Sequence, residues 1–471
     1  MKNRTICIML CLILCLLAGC SSKAPDIKTK DVDCTAKYPA SKAVLIELNG
    51  KRVNASDDIK YSNKTVSIDK EGSYWISGES ENVMFDIDAK GEVDLYLDNA
   101  TMTFPNNAVI HSGKETDLHI IAVPETKNIL QDIEAHKNED SDSVVMAESN
   151  LVIEGSGTIE IAGNYKNGIR SAEVCNVYDT DLKVLSQENG IQSKKLSFEN
   201  GEYTFKCNEN CISTTDGELS LISGKFTLSA GNDAVHSEGS LVCKKPDIVV
   251  EKSKEGLEGV SIDIFDGTYK INSTDDGINS SEAEKNKKKE SNVVQGQILE
   301  TPTTPDYETW TPEDGQFHGD INKGCYIHIH GGKLQIVAYG DGIDSNDNII
   351  IDDGDLLVYG GPSGNDASLD FATTAAINGG TAVFYGIKGM VTPFTDGKCN
   401  SALLLLPETL KKETKVTIKN SQNKEIKSFE LADDTNSILL GNVDTGLCII
   451  STDSKDYQYT VQEGHKIYTT K

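Results

Sequence analysis

The chain has 471 residues, in which 45 Lys and Arg are outnumbered by 73 Asp and Glu, giving a formal net charge of −28. This acidity argues against a nucleic-acid partner, because phosphate would be repelled unless a local basic patch were present. The 40 glycines, and the lack of any long segment with helical apolar spacing, argue against a helical bundle. The charge favours a bound cation, a positively charged surface or plain solubility.

The N-terminus has the features of an export signal. A basic start precedes the apolar run 6–17, which is followed by Leu17-Ala18-Gly19-Cys20. This order is typical of a secretory signal, and the run is shorter than the roughly 20 residues of a membrane span. The tetrapeptide resembles the bacterial lipoprotein box, in which the cysteine becomes the lipidated N-terminus. We therefore expect a signal peptide over 1–19, lipidation at Cys20, a tether over 20–40, and a location on the extracellular face of the cell membrane.

Eight of the twelve cysteines remain after the signal peptide and the lipidated residue are set aside. An even number in an exported chain permits disulfides, but these spacings match no compact disulfide framework. Cys207 and Cys211 lack the paired CxxC spacing of a zinc site. We interpret the eight as structural, buried side chains, and one or more disulfides stay open as the alternative.

A repeat organises the chain after Val44, where short runs of alternating polarity, bounded by turn residues, are typical of strands. In each repeat a polar and a small residue precede an aliphatic one, at a period just above 20 residues with one longer gap. The aliphatic members are Ile169, Ile191, Ile212, Val235, Val260, Ile278, Ile343 and Leu369. This period is the coil length of a parallel β-helix, in which these residues would stack inward as one column.

We therefore predict an all-β protein whose parallel β-helix, or solenoid, covers 41–380 and begins with an N-terminal strand region. The long gap between Ile278 and Ile343 predicts an insertion over about 281–325 that loops out of the stack. The alternating strands of 381–471 predict a C-terminal β cap, which would cover the unpaired edges of the last coil.

The polar position of the repeat changes along the chain from amide to acid. Its members are Asn167, Asn189, Asn210, Asp233, Glu258, Asp276 and Asp341. Stacked asparagines hydrogen-bond to one another, whereas stacked carboxylates repel unless a proton or cation intervenes. The same residues could also be ordinary turn aspartates.

A cation between adjacent coils would reach carboxylates on both, because coils lie about 4.8 Å apart and calcium–oxygen bonds measure about 2.3–2.6 Å. Oxygen donors without a column of His or Cys favour Ca²⁺ over other ions. The predicted ligands are Asn232, Asp233, Asp275, Asp276, Asp341, Asp344, Asp366 and Asp370.

Several phrases resemble a clostridial family of secreted proteins described as carbohydrate-binding domains. They are Asp233-Ala234-Val235-His236-Ser237, Asp276-Gly277-Ile278-Asn279-Ser280, Asp341-Gly342-Ile343-Asp344-Ser345 and the segment 364–370. The similarity runs from about Val44 to the C-terminus. It implies a right-handed β-helix like that of pectate lyases, calcium binding, and attachment to plant-type polysaccharides such as cellulose or pectin-like chains. The family's glycine-rich insertion is replaced here by a Lys/Glu and Thr/Pro stretch.

These observations together favour a non-catalytic, calcium-binding, polysaccharide-binding lipoprotein that is a monomer and has no nucleic-acid partner. One alternative is a calcium-dependent lyase, whose base would be Arg170, Lys323 or Lys333. The other is a surface or adhesion lipoprotein in which calcium serves stability only.

Three further features of the sequence receive simple interpretations. Tyr307 and Trp310 in the insertion are candidate carbohydrate-binding residues. His328 and His330 share one face of a strand, which we interpret as solvated, with binding of a transition metal as the alternative. Trp75 is expected to pack rather than to bind sugar.

Overall fold

The computed structural model describes residues 42–469, with gaps at 51, 57–58, 134–140 and 284–323. The predicted signal peptide, the tether, Cys20, and Tyr307 and Trp310 of the insertion lie outside the described residues. Within these limits the chain forms strands and turns and has no helix, so none could cross a membrane. The strands build a parallel solenoid of about 12 coils, which confirms the predicted all-β fold.

Three stacks of parallel strands make up the solenoid, and each coil contributes one strand segment to each stack. In the first stack Phe85 pairs with Ile110, Ile169 with Ile191, and Ile278 with Ile343. Its strands, some continuing into the next stack, are β4 (Thr65–Ile68), β6 (Met84–Ile87), β8 (Ile110–Ser112), β11 (Ser143–Ala147), β14 (Asn167–Tyr178), β16 (Ile191–Glu199), β18 (Ile212–Thr214), β20 (Val235–Ser253), β21 (Leu257–Ile264), β23 (Ile278–Ser280), β26 (Ile343–Ser345) and β29 (Asp370–Phe371).

The second and third stacks continue each coil. The second adds β1 (Val44–Asn49), β5 (Gly72–Ser80), β7 (Gly91–Phe104), β9 (Thr116–Ala122), β12 (Leu151–Glu154), β19 (Leu219–Ser229), β24 (Tyr326–Ile329), β27 (Asn348–Ile351) and β30 (Thr374–Ile377). The third adds β10 (Lys127–Asp132), β13 (Thr158–Gly163), β15 (Asp181–Ser186), β17 (Glu202–Cys207), β22 (Thr268–Ser273), β25 (Lys333–Ala338), β28 (Asp355–Tyr359) and β31 (Thr381–Gly386). Two short strands, β2 (Arg52–Ala55) and β3 (Lys60–Ser62), pair antiparallel with β1 and β4.

The C-terminal strands change from parallel to antiparallel pairing. The last coil strand, β31, pairs with β35 (Thr435–Gly441), which also pairs with β32 (Ser401–Leu410). β38 (His465–Thr469) runs parallel to β32. A separate antiparallel sheet has the order β34 (Glu425–Glu430), β33 (Lys415–Lys419), β36 (Gly446–Ser451) and β37 (Asp456–Val461). Antiparallel strands thus pair with an edge that the coils would leave open.

An aliphatic and aromatic column fills the interior beneath the first stack. Each of its members is fully buried, and each such side chain contributes about 1.5–3 kcal/mol to stability through burial. The column consists of Val66, Phe85, Ile110, Val145, Ile169, Ile191, Ile212, Val235, Leu257, Ile278, Ile343 and Leu369.

The structure corrects one member of the predicted column. Val235 pairs with Leu257, and Leu257 pairs with Ile278, so Leu257 takes the place expected for Val260. A Cβ atom on Gly256 would collide with the carbonyl oxygen of Gly277, whereas one on Gly259 would meet its nearest neighbour at 3.4 Å. Only the phrase that starts at Glu255 therefore has a glycine at the close approach between coils.

Cysteine and tryptophan behave as the sequence indicated. The seven cysteines among the described residues are free thiols, and all but Cys399 are buried, which supports their structural interpretation. Trp75 stacks on Tyr96 with ring centroids 5.5 Å apart and donates a hydrogen bond from Nε1 to Asp98. One face of its ring is therefore covered by Tyr96.

The corrected column predicts unequal effects of two neighbouring truncations. Leu257→Ala should lower the free energy of unfolding by about 2–5 kcal/mol, because it leaves a cavity in a close-packed column. Val260→Ala should cost clearly less, since Val260 is only partly buried. Urea midpoints of the two variants measure this difference. Equal losses, or a larger loss for Val260→Ala, would restore the register expected from the sequence.

Candidate functional site

Two columns of polar residues flank the aliphatic column of the first stack. From Ile169 onward, the first polar column holds the residue two positions before each aliphatic member: Asn167, Asn189, Asn210, Asp233, Glu255, Asp276 and Asp341, and it ends at the apolar Ala367. The second polar column holds the residue directly after it: Arg170, Gln192, Ser213, His236, Glu258, Asn279, Asp344 and Asp370. Strand register and coil-to-coil backbone hydrogen bonds bring the members of each column together.

The first polar column has a structural role that is visible in its hydrogen bonds. Asn167 Oδ1 accepts both the backbone N–H and the side-chain amide of Asn189, at 2.9 and 3.1 Å. Asn210 Oδ1 likewise accepts the N–H of Asp233 at 2.9 Å. Farther along, Asp276 Oδ1 accepts the N–H of Asp341 at 2.7 Å. At these positions a side-chain oxygen therefore accepts a hydrogen bond from the backbone of the next coil, and either an amide or a carboxylate can provide that oxygen.

Three aspartates predicted as ligands converge where this column is acidic. One carboxylate oxygen each of Asp276, Asp341 and Asp344 lie within 4.8 Å of one another. Burial, followed by the charges of neighbouring carboxylates, raises the pKa of Asp341 to about 9 and that of Asp344 to about 8. Burial also raises the pKa of Asp276 to about 6. This aspartate cluster thus favours a bound proton or a cation over free carboxylates.

The remaining predicted acids of this region lie around the aspartate cluster. Asp370 pairs with Asp344 on the next coil, and its charge raises the pKa of both Asp341 and Asp344. Asp366 accepts a hydrogen bond from Ser363 Oγ at 2.9 Å. Asp275 lies 3.5 Å from the ammonium of Lys254. These three acids surround the cluster, and each of them has a partner in the protein.

Asn232 and Asp233 lie at a different place, next to a histidine. Asp233 Oδ2 is 3.3 Å from Nδ1 of His236. Nδ1 of His236 also contacts Glu258, and Nε2 contacts Glu238. The amide of Asn232 donates to Asp233 and Asn210. Burial lowers the pKa of His236, but its hydrogen bonds and charge interactions with Asp233 and Glu258 outweigh burial and raise it to about 11. An imidazolium therefore balances the carboxylates here.

Sequence reasoning missed four residues that join these two groups: Glu255, Glu258 as a neighbour of His236, His236 itself, and Asn279. Asn279 donates from Nδ2 to Glu255 at 3.0 Å, while its Oδ1 is buried without a hydrogen-bond partner. Burial raises the pKa of Glu255 to about 7. The signal for Glu255 was present in the phrase Glu255-Gly256-Leu257, which fits a uniform coil length better than the phrase three residues later.

Comparison with known proteins agrees with the resemblance found in the sequence. Residues 62–281, slightly less than half of the chain, match the model of a family described as carbohydrate-binding domain-containing protein. The family match includes the coils from Val66 to Ile278. The search of curated proteins returned no match.

One solved structure is similar to part of this chain. It is described as a polysaccharide lyase-like protein from C. thermocellum, as a gadolinium derivative. The two share 22% sequence identity with a TM-score of 0.40, over 46% of this chain and 91% of the other.

The two roles of Asp341, hydrogen bonding and charge, can be separated by substitution. Asparagine keeps an oxygen for the backbone N–H of Ala367 and removes a carboxyl group whose pKa is raised. In chelator, Asp341→Asn should therefore stabilise the protein, and the gain should grow from pH 5 to pH 8. The native state of the wild type retains a proton that the unfolded state releases above about pH 4, so its stability falls as pH rises.

Asp341→Ala is the matched variant, because it removes the same charge and also leaves that N–H without its acceptor. It should be less stable than Asp341→Asn by about 1–3 kcal/mol. Urea unfolding at both pH values provides the measurement. A pH-independent effect of Asp341→Asn would show that the carboxylate charge is not unfavourable in the folded protein.

Proposed function

We propose that this protein is a non-catalytic, calcium-binding protein that attaches to polysaccharides of the plant cell-wall type, cellulose or pectin-like chains. The observation that carries the proposal is the convergence of Asp276, Asp341 and Asp344 on adjacent coils, in a chain whose preceding coils match a carbohydrate-binding domain family.

The donors around the aspartate cluster fit a calcium ion. Asp276 and Asp341 each use Oδ1 for a backbone N–H, which leaves Oδ2 of each for an ion. Asp344 and Asp370 would add carboxylate oxygens from the second polar column, and the unpartnered Oδ1 of Asn279 would add a neutral one. Hard oxygen donors in a flexible number suit Ca²⁺ better than Mg²⁺, which demands a near-octahedral shell.

The acidity of the chain bears on the choice of polysaccharide. A chain with net charge −28 repels an anionic glycan unless cations screen or bridge the two. Calcium held by the aspartate cluster would supply positive charge beside a polyuronate. A neutral glycan would need aromatic faces, and Tyr307 and Trp310 in the insertion stay the predicted residues for that contact.

The cellular location belongs to the same proposal. A lipid on Cys20 would hold the protein on the extracellular face of the membrane, with the segment up to residue 40 as a tether. The coils would then be exposed to polysaccharide outside the cell. The protein would act as a monomer.

The lyase alternative requires a basic residue beside the acids that can accept a proton. Arg170 pairs with Asp142 at 2.7 Å, and Lys333 lies on the third stack, away from the aspartate cluster. Lys254 is nearby, but it pairs with Glu255 at 3.2 Å. Burial lowers the pKa of Lys254, yet the neighbouring carboxylates outweigh burial and raise it, so Lys254 is protonated at neutral pH. Lys323 lies outside the described residues.

Calcium binding should appear as thermal stabilisation. Adding CaCl₂ to chelator-treated protein should raise Tm, because the ion replaces repulsion between stacked carboxylates with attraction. The double variant Asp276→Asn/Asp341→Asn should lose most of this shift. The control Asp247→Asn/Glu251→Gln also removes two acids, both exposed on the third stack, and should keep the shift. Identical melting curves with calcium and with chelator would contradict the proposal.

Polysaccharide attachment should be tested by pull-down of the full mature chain on insoluble cellulose and on immobilised polygalacturonate. Retention on polygalacturonate should require calcium and should fall in Asp276→Asn/Asp341→Asn. If retention is unchanged by those substitutions but falls in Trp310→Ala, the insertion and not the aspartate cluster binds the polysaccharide. No retention on either material would favour the adhesion alternative, and new absorbance of unsaturated uronate would favour the lyase.

A further inference from the structure

A second group of metal-ligating side chains lies on the second stack, away from both polar columns. Asp263, His328, His330 and Asp352 form this group, which we call the imidazole patch. Asp263 and His328 are register partners on β21 and β24, and Asp352 follows β27 on the next coil. Their side chains point outward, since the alternating residues Ile327, Ile329 and Ile351 are fully buried.

The donor atoms of the imidazole patch are close together. Asp263, His328 and His330 each offer one ligand atom, and these three atoms lie within 4.8 Å of one another. Nε2 of His330 is 3.0 Å from Asp263 Oδ1, and Nε2 of His328 is 2.8 Å from Asp352 Oδ2. The two imidazole rings stack at 3.7 Å. Each ring therefore has a carboxylate at hydrogen-bonding distance and the other ring against its face.

Outer hydrogen bonds aim both carboxylates at the histidines. The hydroxyl of Tyr326 donates to Asp263 Oδ2 at 2.8 Å, which leaves Oδ1 to face the rings. The amide of Asn378 donates to Asp352 Oδ1 at 2.9 Å, which leaves Oδ2 to face them. Phe265 stacks on His330 with ring centroids 4.3 Å apart and fixes that ring. Partners that orient ligands in this way are typical of metal sites.

We propose that the imidazole patch binds one divalent transition-metal ion of the Zn²⁺ class. Imidazole nitrogen with carboxylate oxygen is a donor set that Zn²⁺ and its neighbours prefer, whereas Ca²⁺ takes oxygen donors. Asp263, His328 and His330 supply the ligands, and Asp352 lies beside them as a fourth. The histidine side chains are 23% and 28% exposed, so an ion can enter from solvent.

This ion would be distinct from the calcium of the proposed function. The aspartate cluster lies on the first stack, where the two polar columns place oxygen donors around Asp344. The imidazole patch lies on the second stack, where two histidines are placed between acids of the preceding and following coils. The two histidines of the patch lie on β24 and directly after it, and β24 is the first strand after the insertion. The two proposed sites thus differ in donor chemistry, one with imidazole nitrogens and carboxylates and the other with oxygen donors, and they lie on neighbouring stacks of the solenoid.

The competing account is an ion-pair network, in which protonated histidines bind the two aspartates without a metal. Both accounts fit the distances, but they differ in response to metal. Protonated imidazole offers no lone pair, so the network would give no metal spectrum, whereas a metal site exchanges its protons for the ion.

Cobalt titration of the untagged full mature chain, with calcium present in excess, is the test. Co²⁺ should produce visible absorption that saturates at one equivalent and disappears when Zn²⁺ is added. His330→Gln and His328→Gln should abolish the absorption. Tyr326→Phe and Asn378→Ala keep all ligands and should weaken Co²⁺ binding about 10–100-fold. This weakening is not expected of an ion-pair network.

His119→Gln is the matched control, because His119 also points outward from the second stack between acids, but without a second histidine. It should bind Co²⁺ like the wild type. The proposal is overturned if the wild type shows no absorption at one equivalent, or if His119→Gln loses it while His330→Gln retains it. If His330→Gln loses Co²⁺ binding but keeps the rise in Tm with calcium, the two ion sites are independent of each other.

Discussion

The hydrogen bonding of each coil with the next is the constraint on which the rest of this molecule depends. It holds equivalent residues about 4.8 Å apart, so every position of the repeat is copied into a column. Inside the solenoid this places Ile278 against Leu257 and Ile343 in a fully buried row. Outside, the same rule places charge against charge. The stacking of coils therefore accounts both for the buried apolar row in the interior and for the repulsion between like charges on the surface.

The first polar column shows how structure and charge are combined in one residue. Asn210 and Asp276 use a side-chain oxygen in the same way, as acceptors for the backbone of the next coil. A change from amide to acid therefore leaves the coil contact intact while it adds a charge. The side-chain oxygens of this column accept a backbone N–H of the next coil at Asn167, Asn189, Asn210, Asp276 and Asp341. The column carries charge only over the coils that contain acids.

Much of the fold was predictable from the sequence, because a period near 20 residues with turn residues between strands has few other solutions. The register at Leu257 was not, since two acid–glycine–aliphatic phrases lie three residues apart and only coil contacts distinguish Gly256 from Gly259. The aspartate cluster was predictable because its members repeat. The grouping of His330 with Asp352 was not, because those residues lie on different coils and belong to no shared phrase.

Like charges in stacked columns are relieved in this protein by several means, and the comparison between them bears on the aspartate cluster. At Asn167 and Asn189 the charge is absent, because amides occupy the column. Around Asp233 a buried imidazolium, His236, supplies the opposite charge from within the chain. At Asp341 and Asp344 burial raises the pKa of the carboxyl groups, and the charges of neighbouring carboxylates raise it further. Asp341 and Asp344 have neither the amide nor the histidine, and their raised pKa values favour neutralisation from solution, by a proton that is retained up to neutral pH or by a cation.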